Sequence, residues 1–182
     1  RDAQESRGLG DVYKRQDFVP SDLELISSNY STKKLYLKSY AVKPFEEMCA
    51  EAMALGITIK AGSTYRSYNY QNNLYNHYVK KDGIDKADTY SARPGYSEHQ
   101  LGLAIDISNG SEFIEDGSDE YNYIINNSYK YGFILRYPKG KENITGYMFE
   151  PWHIRYLGID VATYLHLSLI HISEPTRLLS IS

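Results

Sequence analysis

Residues 97–108, SEHQLGLAIDIS, decide the fold. Leu103, Ile105 and Ile107 alternate with Ala104, Asp106 and Ser108, the two-residue period of a strand that buries its aliphatic side chains on one face and presents Asp106 on the other. His99 stands just before that strand, and Gly102 lets the backbone turn between them. The seven-residue offset of Asp106 from His99 (106 minus 99) does not match one helix face; it suits one group on a loop or strand end and another on the adjoining strand. A second string, Glu150-Pro151-Trp152-His153, leads into a last strand over 153–156. A borderline-soft divalent ion such as zinc takes two imidazoles and a carboxylate with a fourth position open to water, and a neighbouring carboxylate makes that water a nucleophile. His99, Asp106 and His153 fit as the ligands and Glu150 as the base.

Each fragment has an ordinary reading beside this one. A lone histidine is commonly a surface or core residue, an Asp on a strand is commonly a turn or edge residue, and a Glu three before a His arises by chance. From spacing alone, a metal site and unrelated residues both stay open. The clusters gain weight together, because both fall at strand edges and each joins a histidine to a carboxylate.

The rest of the chain reads as helices alternating with short strands. Phe45, Met48, Cys49, Ala52 and Leu55 recur at helical spacing over 39–55, and Gly56 follows where a left-handed cap belongs. Ile57, Ile59 and Ala61 alternate as in a strand that runs into Tyr65-Arg66-Ser67. A helix over 67–80 repeats Tyr70, Leu74 and Tyr78, with His77 on its solvated side. A short helix between loops is expected in 81–95, and a longer one over 118–131 that starts at Ser118-Asp119-Glu120 and stops at Gly132. Two short strands bracket the turn from Pro138 to Gly146, and a closing helix follows Tyr156. The expected class is α+β, a small antiparallel sheet with helices packed on one side and a zinc cleft on the other.

At 182 residues the chain suits one domain. Its net charge of -3 gives no basic field for polyphosphate, so nucleic acid is excluded as an expected partner. The single cysteine, Cys49, has no internal partner and reads as a buried small hydrophobe. The 19 tyrosines suit a peptide-rich or carbohydrate-rich surface and amphipathic packing equally well. No stretch approaches the ~20 apolar residues of a membrane span. A monomer is expected.

Both ends read as foreign to the domain, which is set at 17–166. Residues 1–16, RDAQESRGLGDVYKRQ, and 167–182, LSLIHISEPTRLLSIS, resemble translated adapter or cloning read-through, and His171 thereby loses its claim as a ligand.

SEHQLGLAID and EPWHIRY, together with YRSYNYQNNLY (65–75), RPGYSEHQ (93–100) and YGFILRYPKGKENITGY (131–147), closely resemble the VanY-type D-alanyl-D-alanine carboxypeptidases. These are zinc peptidases related to VanX-like dipeptidases and phage L-alanyl-D-glutamate endopeptidases. The resemblance covers roughly 18–166, and its paired motifs, SxHxxGxAxD and ExWH, are matched at every position. It implies one zinc ion on His99, Asp106 and His153, with Glu150 as the catalytic carboxylate. It also implies that Arg66, Gln71 and Ser97 hold the substrate's terminal carboxylate and polarise its scissile carbonyl, Arg66 being catalytic as well. The implied substrate is a peptidoglycan stem peptide ending in D-Ala-D-Ala. An L,D-carboxypeptidase, a peptidoglycan endopeptidase and a non-catalytic wall-binding module stay as alternatives. A wall substrate implies an extracellular or cell-envelope location. The serine peptidases that make the same cut are set aside, because the full set of Ser-x-x-Lys, Ser-Asp-Asn and Lys-Thr-Gly is absent.

Overall fold

Alternating aliphatic residues need a partner layer on one side only, and the strand at 104–108 finds one. The computed structural model describes residues 13–167. It begins with a ribbon of β1 (Leu23–Leu25) and β2 (Tyr36–Lys38), then helix α1 (Ser39–Ala54), β3 (Lys60–Ser63), α2 (Tyr68–Asp82) and a single turn, α3 (Ile84–Ala87). A 3-10 turn (Glu98–Leu101) leads into β4 (Ala104–Ser108), followed by α4 (Asp119–Asn127), a second 3-10 turn (Ser128–Tyr131) and β5 (Phe133–Leu135). The short α5 (Glu142–Thr145), β6 (His153–Tyr156) and α6 (Ile159–Leu167) complete the order. Four strands form one sheet in the order β3-β4-β6-β5, with every neighbouring pair antiparallel.

Ile105 and Ile107 of β4, Ile154 of β6 and Phe133 of β5 all enter one core with Val42, Phe45, Met48 and Cys49 of α1 and Tyr123 and Ile124 of α4. Burying such a side chain contributes about 1.5–3 kcal/mol. The period-2 pattern then sends Asp106, His153 and Arg155 to the opposite face, where the cleft lies. Helix α2 stands at that cleft and contributes Gln71, Leu74 and Tyr78 to its wall.

Several boundaries differ from the sequence expectation for identifiable reasons. Leu55 is the C-cap of α1 and is 64% exposed, since the helix stops one residue short of completing that stripe. In α2 the buried positions are Gln71 and Tyr75, while Tyr70 is exposed: the helix turns a mixed polar face inward, which hydropathy spacing does not mark. β3 starts at Lys60, so Ile57 and Ile59 precede it. Residues 147–149 form no strand; a hydrogen bond from the Met148 amide to the Thr89 carbonyl (2.9 Å) and one from the Glu150 amide to the Tyr137 carbonyl (3.1 Å) hold them instead.

The proposed leader meets the domain at its last residues. The Lys14 amide donates to the Gly95 carbonyl (2.7 Å), Tyr13 packs edge-on against Tyr96, and Gln100 donates to the Arg15 carbonyl (3.0 Å). Residues 13–15 are therefore in contact with the 95–100 segment. Residues 1–12 and 168–182, including His171, lie outside the described residues.

Candidate metal centre and active site

Antiparallel pairing of β4 with β6 sets Asp106 directly opposite His153. His99 arrives from the 3-10 turn just before β4, which Ser97 caps by accepting from the His99 amide (3.3 Å) and Gly102 ends at φ 71°. A β-carbon on Gly102 would also sit 2.8 Å from Leu23. On the other edge of β4, a bulge between Ala61 and Ser63 sets Ser63 against Asp106. A bulge re-aims the residues beyond it, and here Thr64 and Arg66 are turned into the site.

The two imidazoles are oriented by different partners. His99 Nδ1 lies 2.7 Å from the Thr64 carbonyl, which accepts only a proton-bearing nitrogen, so Nε2 presents its lone pair to the site, 3.3 Å from Asp106 Oδ1. His153 faces the same oxygen with Nδ1, at 3.2 Å, and Glu150 Oε2 with the same nitrogen at 3.4 Å. His99, Asp106 and His153 each offer a ligand atom, all within 4.8 Å of one another, and all three residues are buried. Two imidazoles and one carboxylate converging on a point at an open cleft are the donor set of a catalytic zinc site.

The electrostatics follow from burial and neighbours. Burial, aided by Arg66, lowers His99 to about 4. Burial opposes ionisation of Asp106, yet His99 and Arg66 hold it well below the usual carboxylate range. For His153, hydrogen bonds to Asp106 and Glu98 outweigh burial and raise it to about 9. Glu150 goes the other way: burial, with Asp106 and Glu98 nearby, lifts it to about 7 against the pull of His153 and Arg66. A carboxyl poised there can accept and return a proton near neutral pH.

A cavity of about 350 Å³ opens over these groups, and Arg66, Gln71 and Ser97 line it with His99, Asp106, Glu150 and His153. The sequence-selected residues are thus brought to one place. Arg66 pairs with Asp106 Oδ2 and donates from Nε to Ser63 (3.0 Å). Gln71 is buried, donates to the Ala92 carbonyl (2.8 Å), and its Oε1 has no hydrogen-bond partner. Trp152 packs under the wall against Phe113 and the core, Tyr147 also lines the cavity, and His77 is exposed on α2, away from the site.

Sequence reasoning misses Glu98. It sits between Ser97 and His99, fully buried, with Oε1 accepting from Arg136 Nε (2.8 Å), Arg155 Nη1 3.3 Å away, and Oε2 3.4 Å from His153 Nε2. Despite burial, Arg136 and Arg155 hold it well below the usual carboxylate range. Its one signal in the sequence is its place inside the metal string, since a one-turn helix has no hydropathy face.

Known proteins share this arrangement's sequence and fold. Among curated proteins, YodJ of Bacillus subtilis (strain 168), which bears a carboxypeptidase's name, is 42% identical over 155 residues, covering 82% of this chain and 56% of its own length. The D-alanyl-D-alanine carboxypeptidase of Enterococcus faecalis (strain ATCC 700802 / V583) is 37% identical over 167 residues, covering 85% of this chain and 60% of its own length. The chain therefore spans less than two thirds of these two relatives. Among solved structures, the LdcB LD-carboxypeptidase superposes with a TM-score of 0.81 at 34% identity, covering 89% of this chain and 80% of that one. VanYB in complex with D-alanine-D-alanine gives 0.74 at 33%, covering 93% and 97%. A variant of the vancomycin-resistance D,D-pentapeptidase VanY in complex with Zn(II) gives 0.69 at 35%, covering 85% and 91%. The family model described as VanY, D-alanyl-D-alanine carboxypeptidase, matches residues 34–159, the span that holds every residue of the site. With that match around a buried His-Asp-His group, the chain belongs to the VanY family.

Proposed function

We propose that this chain binds one zinc ion through His99, Asp106 and His153 and removes the terminal D-alanine from peptidoglycan stem peptides ending in D-Ala-D-Ala. The observation that carries the reading is the convergence of the three ligand atoms within 4.8 Å beside Glu150, at the floor of a cleft. The solved VanY relatives with Zn(II) and with D-Ala-D-Ala support the ion and the substrate. When bound, the ion supplies Lewis acidity at the scissile carbonyl.

The side chains divide the remaining work. Glu150, buried beside the ligand set with Oε2 3.4 Å from His153 Nδ1, takes a proton from the attacking water on its carboxylate and hands it to the leaving D-alanine amine. Arg66 places a permanent positive charge at the cavity, suited to the substrate's terminal carboxylate and to negative charge developing on the carbonyl oxygen. Gln71 and Ser97 line the cavity beside Arg66 and His99, where they border the bound peptide end. The flanking Tyr137 and Trp152 exclude water. No covalent acyl-enzyme is required. A wall-peptide substrate places the working site outside the cytoplasmic membrane; among the described residues, no helix is long and apolar enough to cross one.

The match to an LD-carboxypeptidase at TM-score 0.81 favours a second reading, cleavage of an L,D bond in shorter stem peptides. Mass spectrometry of tetrapeptide and pentapeptide substrates, with zinc and with chelator, separates them. Loss of D-alanine from the pentapeptide alone supports the first reading; loss from the tetrapeptide alone supports the second.

A further inference from the structure

His153 has acceptors on both sides of its ring, so something must choose which nitrogen keeps the proton. On the Nδ1 side lie Asp106 Oδ1 at 3.2 Å and Glu150 Oε2 at 3.4 Å; on the Nε2 side lies Glu98 Oε2 at 3.4 Å. A proton on Nδ1 would block the ligand position and set the Nε2 lone pair against a carboxylate oxygen. From this geometry we infer that Glu98 is a positioning residue for the metal centre: it accepts the Nε2 proton of His153 and keeps Nδ1 free for the ion. The inference rests on the zinc reading proposed above and goes beyond it, because Glu98 is neither ligand nor base.

The surroundings of Glu98 suit that task. Its other oxygen accepts a hydrogen bond from Arg136 Nε at 2.8 Å, and the positive charge of Arg155 lies beside it with Nη1 at 3.3 Å, both of which oppose rotation of the carboxylate away from His153. The side chains of Glu98, Arg136 and Arg155 are 2%, 5% and 9% exposed. A buried ionic cluster of this kind is weak as a source of stability, since desolvation offsets the attraction, and an orienting role accounts for its place against a ligand. Arg155 lies two residues after His153 on β6, hence on the same face of the sheet. The 3-10 turn thereby controls both histidines: residue 99 is a ligand, and residue 98 holds the other ligand from behind. His99 is oriented separately by the Thr64 carbonyl and serves as an internal control.

The test uses Glu98→Gln. Glutamine has one carbonyl oxygen, which Arg136 claims, so its NH2 turns toward His153 Nε2 and favours the wrong tautomer. Zinc affinity is measured by chelator competition on the full chain, and histidine tautomers by long-range proton–nitrogen NMR of 15N-histidine protein. The wild type is expected to show His153 protonated at Nε2 and metal-bound at Nδ1. The variant is expected to lose roughly 10- to 100-fold in zinc affinity, with the His153 resonances altered and the His99 pattern kept. Unchanged affinity and unchanged His153 resonances in the folded variant overturn the inference. Should Glu98→Gln fail to fold, Glu98→Asp keeps the charge for Arg136 and Arg155 while withdrawing from Nε2, and is judged by the same criteria. Zinc bound with His153 ligating through Nε2 overturns this inference alone; a wild type that binds no zinc overturns the zinc reading and this inference with it.

Discussion

Asp106 and His153 are register partners on adjacent antiparallel strands, and Asp106 Oδ1 lies 3.2 Å from His153 Nδ1 and 3.3 Å from His99 Nε2. One carboxylate oxygen therefore stands between two imidazoles, and the sheet itself fixes two of the three proposed ligand positions.

His99→Ala, Asp106→Ala and His153→Ala are each expected to lower zinc content from about one ion per chain, read by metal analysis of the folded protein. Full zinc retention in His153→Ala would remove that residue from the ligand set.

Arg66 pairs with Asp106, a proposed ligand, and also lines the cavity, so its substitution has two readouts. Arg66→Ala is expected to raise KM for an acyl-D-Ala-D-Ala peptide by more than 10-fold and to affect its amidated counterpart far less, with zinc content recorded alongside. An equal effect on the two peptides would make Arg66 a structural partner of Asp106 only.

Glu51 accepts hydrogen bonds from Tyr131 (2.5 Å) and Tyr123 (2.8 Å), which tie α1 to the α4 region and lower its pKa below the ordinary 4.5. The folded state thus prefers the charged carboxylate. Its contribution is present above the unfolded pKa and is lost as pH falls through the lowered folded value. Glu51→Gln should lower Tm at pH 7 and lessen its fall between about pH 5 and 3; parallel Tm-against-pH curves would remove Glu51 from the acid response.

Truncation at the amino end should depend on where the cut falls. Removing residues 1–16 deletes the Tyr13, Lys14 and Arg15 contacts with the segment that leads into the 3-10 turn carrying His99, whereas removing 1–12 keeps them. Thermal unfolding is expected to place Tm of the shorter protein a few degrees below that of the longer one. Equal values would mean those contacts add no stability.

Much of this site was legible because sheet periodicity is strict. Once Ile105 and Ile107 are assigned to the core, Asp106 has to face away, and the same logic sends His153 to the face away from its core neighbour Ile154. The presence of α1 and α4 and the stop at Gly132 follow from spacing and from caps such as Ser118, although the helix expected over 118–131 ends at Asn127 and a 3-10 turn carries the chain on to Tyr131. What escaped reading depends on contacts between distant segments. The inward polar face of α2 is decided by Gln71 meeting Ala92, the path of 147–149 by backbone bonds to Thr89 and Tyr137, and the role of Glu98 by two arginines 38 and 57 residues away. None of these leaves a periodic trace. The packing of residues 13–15 was hidden for a related reason, since an irregular segment can dock through backbone groups that composition does not reveal.

The most direct test of the account is the turnover of acyl-D-Ala-D-Ala by the zinc-loaded wild type and Glu150→Gln, followed by mass spectrometry of the released D-alanine. An amide of the same shape cannot take the water's proton, so Glu150→Gln is predicted to keep zinc and Tm while kcat falls by about 10²- to 10⁴-fold. Wild-type kcat in a zinc-loaded Glu150→Gln protein would contradict the account, because the proton would then have to move through another group.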